Sequence, residues 1–412
     1  MQKIIKFMEE MNYWAIVLLP FSVGIAPGFA NAVIGIMIVT FLAEKAAKRE
    51  KLCPISLPVA LFGVFIVIGL LSFQNSASIH DSFKGITKLL KFLMIFVICG
   101  ENIKDRVHFK RIAFSAAFAV SLIGIDAIWQ MFSGKDFIRG NSLQGAIGLP
   151  RATASFPGCN GLGVYLTALT PLVAGLAIFA SRLKPRIIFS LAAITGSIGV
   201  YLTLSRGAGL GLFISILFLS LAKKDKIITS ALIILLLVFP FVMPKNIRDW
   251  AKGVNYNPVL MLADKVRVGI YRNTMYMISR HPFVGIGINT FSRSYGKYRA
   301  AEVEATNPTA DGFYAHNNFL HMAGEMGLIG LGVFLAFLSV VLKSLWVSFK
   351  KNSDPFLRGL SVSVFAAIIA YLINGLTETS LYYSRIVMIF WFLIGLGLAL
   401  ARATRQNDRA KS

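Results

Sequence analysis

Apolar residues run through this chain in long unbroken blocks, such as residues 227–242 and 386–401, and not in strict alternation. A lipid-spanning helix needs about 20 consecutive apolar residues, whereas the strands of a membrane barrel alternate over segments of about ten. The blocks therefore predict an all-α integral membrane protein. They fall at roughly 12–27, 29–44, 55–73, 85–100, 110–132, 157–180, 187–204, 208–222, 227–243, 317–342, 359–379 and 385–402, which gives about 12 transmembrane helices. Pro27-Gly28 separates the first two and predicts a tight hairpin. One long polar stretch, about 244–316, lies between the ninth block and the tenth.

Composition removes the soluble alternatives. Of 412 residues, 56% are hydrophobic and 15% charged, with a mean hydropathy of +0.68. Soluble domains carry about 25% charged residues. The N-terminus could mimic a signal peptide, but Glu9 and Glu10 interrupt its basic start and another block follows at once, so the first span is expected to be retained. Cys53, Cys99 and Cys159 show no metal or disulfide spacing. No nucleotide-binding glycine loop is present, and no cytoplasmic connection is long enough to fold alone.

The formal charge of +23 would suggest nucleic acid in a soluble protein. In a membrane protein the first cause to subtract is the enrichment of Lys and Arg on cytoplasmic ends. With a cytoplasmic N-terminus, the inner segments carry Lys3 and Lys6, then Lys45 and Lys48, Lys104 and Arg106, Arg182 and Lys184, Lys223 and Lys224, Lys350 and Lys351, and Arg402 to Lys411. The alternation survives all twelve blocks and puts both termini in the cytoplasm. The long loop then faces outward, and it breaks the rule. It holds Arg248, Arg267, Arg272, Arg280, Arg293 and Arg299 among others, against only Asp249, Asp264, Glu302, Glu304 and Asp311. A basic outer face of this kind suits an anionic substrate.

Four places could carry chemistry. Arg206 stands in LSRGAG at the outer end of the seventh block, among small residues that let backbone N–H groups approach a ligand. Arg151 stands just outside the sixth block, before Pro157 at a helix start. Residues 264–280, DKVRVGIYRNTMYMISR, predict an amphipathic helix. Arg267 and Tyr271 share one of its faces, and Arg272 lies about 100° around the axis from Tyr271. His281-Pro282 ends it, and His281 is read as structural. His316, in YAHNNFL before the tenth block, can accept a proton from a substrate hydroxyl. His321 is off the His316 face, and no further ligand has metal-site spacing, so no metal site is expected. Guanidiniums answer a diphosphate by forked hydrogen bonds. A histidine answers a hydroxyl that must become a nucleophile. Together they suggest group transfer from a lipid diphosphate in the outer leaflet.

The chain resembles the O-antigen ligase and O-antigen polymerase superfamily of bacterial inner-membrane glycosyltransferases. The resemblance rests on LSRGAG around Arg206, on RNTMYMISRHPFVGIGINTF from Arg272 to Phe291, and on AHNNFLHMAGEMGLIGL from Ala315 to Leu331, in that order along the chain. It implies a GT-C type, inverting transferase that uses no metal or other cofactor and acts at the periplasmic face of the inner membrane. Its donor would be a glycan on undecaprenyl diphosphate. In the ligase, the acceptor is a sugar hydroxyl of lipid A-core; in the polymerase, it is another lipid-linked repeat unit. The ligase is preferred for the single compact loop and the basic patch suited to a phosphorylated core. A polysaccharide transporter is the non-enzyme alternative. Apart from these lipids no partner is implied, neither nucleic acid nor a second protein. The resemblance makes His316 the base, and Arg206 with Arg267 or Arg272 the holders of the diphosphate. Arg151, Tyr271 and Asn317 would assist in substrate binding. The expected organisation is helices one to nine over 1–243, a periplasmic loop with short amphipathic helices over 244–316, and helices ten to twelve with a cytoplasmic tail over 317–412.

Overall fold

The computed structural model describes residues 2–52, 56–146, 148–242, 245–299 and 314–409. Cys53, the loop acids Glu302, Glu304 and Asp311, and Lys411 lie outside these residues. The apolar blocks become helices α1 (Gln2–Ile25), α2 (Pro27–Lys48), α3 (Leu57–Leu71), α4 (Ile79–Asn102), α5 (Arg106–Ser133), α6 (Cys159–Phe179), α7 (Leu183–Leu202), α8 (Arg206–Lys223) and α9 (Lys226–Val242). The long loop contributes short helices α10 (Lys245–Gly253), α11 (Pro258–Leu262), α12 (Lys265–Arg280) and α13 (Phe291–Ser294). The chain closes with α14 (Asn318–Lys351), α15 (Pro355–Asn374) and α16 (Val387–Arg409). The all-α membrane architecture is as expected, and so are the short loop helices.

The count of twelve spans is not reached. Among the described residues, nine helices are long and apolar enough to cross a membrane, or ten if α9 and α10, bent by 77° at their junction, form one broken span. The shortfall has visible causes. Polar residues including Glu9, Glu10 and Asn12 fill the first half of α1, and α4 carries Lys84, Lys88 and Lys91. One further feature escaped the hydropathy pattern, a small hairpin of β1 (Gln144–Ala146) and β2 (Leu149–Arg151), which pairs Gln144 with Arg151.

The helix ends sort into two groups. At one, Lys48 meets Glu9 and Glu44 at 2.7 Å each, Lys45 meets Glu101 at 2.6 Å, and Arg106 meets Asp354 at 2.6 Å. This gathers the start of α1 and α5, the end of α2 and α4, and the turn before α15. At the other, buried Arg385 donates to the last carbonyls of α1, Val23 and Gly24, and to Ser155. A cation there suits the negative end of the helix dipole and satisfies carbonyls that the helix leaves free. The candidate residues lie with this second group.

Helix α14 is broken where hydropathy shows nothing. Gly327 sits at φ 70° and ψ 179° inside it. The groups released at the break are bonded by the segment after α12: Ile286 N to Gly324 O at 3.0 Å, Gly287 N to Glu325 O at 3.1 Å, and Leu328 N to Pro282 O at 2.7 Å. A side chain at Gly327 would strike the Phe283 carbonyl, and one at Gly285 would strike the Glu325 backbone. Both also hold the left-handed φ that glycine alone adopts freely. Glu325, itself buried, accepts from Asn289 N at 2.8 Å and Phe291 N at 3.0 Å. HPFVGIG therefore acts as a splint for a broken helix. His281 fits its structural reading, with Nε2 2.8 Å from the Tyr298 hydroxyl.

Candidate active site

The site is organised by a residue that the sequence pattern did not single out. Glu378 lies in the turn between α15 and α16 and is 1% exposed. Its Oε1 accepts from Arg267 Nη2 at 2.7 Å and from Asn160 Nδ2 at 2.7 Å. Its Oε2 accepts from the Tyr383 hydroxyl at 2.9 Å and lies 3.7 Å from His316 Nδ1. Burial pushes this carboxyl up, but His316, the Arg267 charge and the Tyr383 hydroxyl outweigh burial and hold it below the usual glutamate value. In the reverse direction, burial pulls the Arg267 guanidinium down, while Glu378 and Asp264 more than restore it.

The turn is held by the start of α14. Asn318 donates from its backbone to Gly375 O at 2.7 Å and from its side chain to Ser380 Oγ at 2.9 Å, and it accepts from Leu381 N at 3.0 Å. Asn317 caps α14 by accepting from Phe319 N and Leu320 N, and it donates to Leu376 O at 3.0 Å. His316 precedes this cap with φ 47°, a sparsely populated conformation for a residue with a side chain. The Tyr271 hydroxyl donates to its carbonyl at 3.1 Å. Such strain persists only where surroundings over-determine it, and it concentrates at functional sites. His316 Nδ1 is buried with no hydrogen-bond partner among the described residues, so the carboxylate of Glu378 is its nearest polar neighbour of opposite charge.

Arginines flank the acid. Arg267 is anchored on Glu378 and on Thr377 O at 2.8 Å. Arg206 opens α8 after Leu204, also left-handed at φ 49°. It donates to Met261 O at 2.9 Å, lies 3.6 Å from Asp264 and sits 5.1 Å over the Trp250 ring. The small residues after it have a purpose. A side chain at Gly207 would strike Thr377, so α8 can approach the Glu378 turn only with glycine there. Arg151, held by β2, donates to Thr203 O at 2.6 Å and to Asn160 Oδ1 at 3.0 Å. Thus His316, Arg206, Arg267, Arg151, Tyr271 and Asn317 converge. Arg272 does not join them; it is exposed on another side of α12. Arg206 is the more open of the two central guanidiniums, 33% exposed against 15% for Arg267.

Residues 191–335 match the family model described as O-antigen ligase. Over that stretch the chain is similar to the O-antigen ligase family. The O-antigen ligase match includes Arg206, Arg267, Arg272 and His316, whereas Arg151 and Glu378 lie outside it. The match is consistent with a glycosyltransferase-like membrane enzyme. No curated protein matches the chain. A solved chain described under "Structural coordination of polymerization and crosslinking by a peptidoglycan synthase complex" is similar over 85% of this chain and 98% of its own, at 14% identity and a TM-score of 0.48. That similarity is too distant to bear on fold or activity.

Arg206→Lys tests the forked geometry. Lysine keeps the charge but loses the planar pair of donors. Transfer is expected to fall about 10- to 100-fold, the worth of one charge-assisted hydrogen bond, and nearly as far as in Arg206→Ala. Full activity of R206K at normal abundance would mean that charge alone suffices.

Proposed function

We propose that this protein is an O-antigen ligase. In this reading it moves a glycan from undecaprenyl diphosphate to a sugar hydroxyl of lipid A-core, at the periplasmic face of the inner membrane, with both termini in the cytoplasm. The observation that carries the reading is a cluster at one end of the helix bundle in which His316 and Arg267 meet the buried Glu378 carboxylate, Arg151 is linked to it through Asn160, and Arg206 joins Arg267 through Asp264. The acceptor oxygen bonds to the anomeric carbon as the bond from that carbon to the diphosphate oxygen breaks. The hydroxyl proton passes to Nε2 of His316. Glu378, facing Nδ1, stabilises the resulting imidazolium. Arg206, with Arg267 behind it, receives the charge that develops on the leaving diphosphate. These guanidiniums occupy the role that a divalent cation plays in other diphosphate chemistry. The diphosphate is already a good leaving group, so one base and an electrostatic clamp are sufficient machinery.

Ligase is preferred to polymerase for the single loop and the basic patch beside it. A strain deleted for the gene tests the choice through its surface polysaccharide. Ligase predicts lipid-linked polymer that accumulates without attachment to core. Single repeat units attached to core would instead make the protein a polymerase, and unchanged lipopolysaccharide would remove both readings.

A further inference from the structure

A second cationic site lies across the Glu378 turn. Lys84, Lys88 and Lys91 follow one another at helical spacing along α4, on one side of it. Lys91 stands about 18 Å along the helix from its start. That start belongs to the helix-end group that holds the candidate active site, so the row lies in the half of α4 nearest that site. Enrichment of basic residues on cytoplasmic ends gives no reason for it there. Charged side chains at this depth are costly and face a cavity or a ligand.

The structure has such a cavity. It measures about 90 Å³ and is lined by Lys88, Lys91, Phe92, Asn289, Tyr382 and Trp391 among others. The local acids, Asp81 and the cavity-lining Glu325, are each engaged by other groups as well. Asp81 is 3.9 Å from Lys84 but is bound by Arg293 at 2.7 Å. Glu325 is engaged by two backbone N–H groups of the splint. Lys88 donates to the neutral Asn289 side chain at 2.7 Å, and Lys91 lies 5.9 Å from the Phe92 ring. Beside the lysines, Val64 and Val67 of α3 and Leu90 of α4 are exposed, an apolar surface suited to acyl chains.

The wall between this cavity and the candidate active site is the turn that carries Glu378. Tyr383 bonds Glu378 on one side. Tyr382 faces the cavity on the other and lies 3.9 Å from the His321 ring. We propose that Lys88 and Lys91 bind a phosphate group of the acceptor lipid, with the donor diphosphate held by the arginines across the turn. This rests on the transfer reading above. Cations near exposed apolar side chains complement a phosphorylated lipid, and the division gives each of two anionic substrates its own countercharge.

The test uses the full-length protein in phosphatidylcholine nanodiscs, as wild type, as Lys88→Gln with Lys91→Gln, and as Lys88→Arg with Lys91→Arg. The glutamine pair is expected to raise the KM for acceptor by about tenfold or more, the worth of a lost charge-assisted contact, while the arginine pair restores it. The KM for donor should change far less. Phosphatidic acid should compete with acceptor in the wild type, and inorganic phosphate should not. Competition by both would assign the site to free phosphate. A rise confined to donor KM, or an unmoved acceptor KM, would overturn the proposal. A second readout needs no transfer. In a background where Trp14, Trp129, Trp250 and Trp346 are phenylalanine, phosphatidic acid with brominated chains should quench Trp391 emission with the native lysines and in the arginine pair, but not in the glutamine pair. Quenching equal in all three would overturn the lysine site, whatever the reaction proves to be. Selective quenching without any transfer would keep the site and refute the transfer reading.

Discussion

His316→Ala is expected to cut single-turnover transfer by about 10²–10⁴-fold, the range typical of a lost general base, with donor binding and abundance near wild type. The side chain is partly exposed and lies outside the apolar core clusters, so its loss opens no cavity within them. What is lost is the imidazole that, among the described residues, stands beside Glu378. Alanine also accepts the left-handed backbone no better than histidine, so the comparison isolates chemistry from backbone strain. His316→Gln keeps a hydrogen-bonding group, and partial recovery there would favour orientation of the hydroxyl over proton transfer. His281→Ala, which removes one bond to Tyr298, should do much less. Wild-type single-turnover rates for H316A in purified protein would place the base elsewhere.

Glu378→Gln should be nearly as damaging, at about 10²-fold or more in kcat, because it removes the charge that stabilises a protonated His316 while preserving size. It also leaves Arg267, only 15% exposed, with the longer 3.8 Å contact to Asp264 as its ion pair, and breaking a buried pair costs up to about 3–5 kcal/mol of stability. The two effects can be separated. If Glu378 acts through the imidazole, E378Q adds little to H316A, since residues that work as a unit are strongly non-additive. Losses that multiply in the double variant would mean that Glu378 only supports the fold.

Much of this was readable from the chain. Solid apolar blocks located the helices, and His316, Arg206 and Arg267 stood out as polar groups at helix mouths. Arg267 and Arg272 could not be separated from spacing alone. Burial decides it: α12 buries Ile270, Asn273, Thr274 and Met277, and this rotation turns Arg267 inward and Arg272 outward. Glu378 was missed because one acid at the end of an apolar helix looks like an interfacial residue. The signal was there, since an acid so close to hydrocarbon needs partners. Its partners Asn160 and Arg267 are 218 and 111 residues away, a separation that local pattern does not report. The break at Gly327 was equally silent, because apolar residues continue through it.

That break also limits how the protein can be recombined. The rungs joining 282–287 to 324–329 are main-chain bonds, which any side chains can supply, but the two glycines that let the strands touch sit on opposite partners. Each half is therefore a lock without a key in another background. A chimera that imports the outer loop from a relative while keeping the native tenth span, or the reverse, inherits only one of the two contours. The smallest exchangeable cassette would run from about Pro282 through Ile329, with the loop and the first turns of α14 passed on as a single unit.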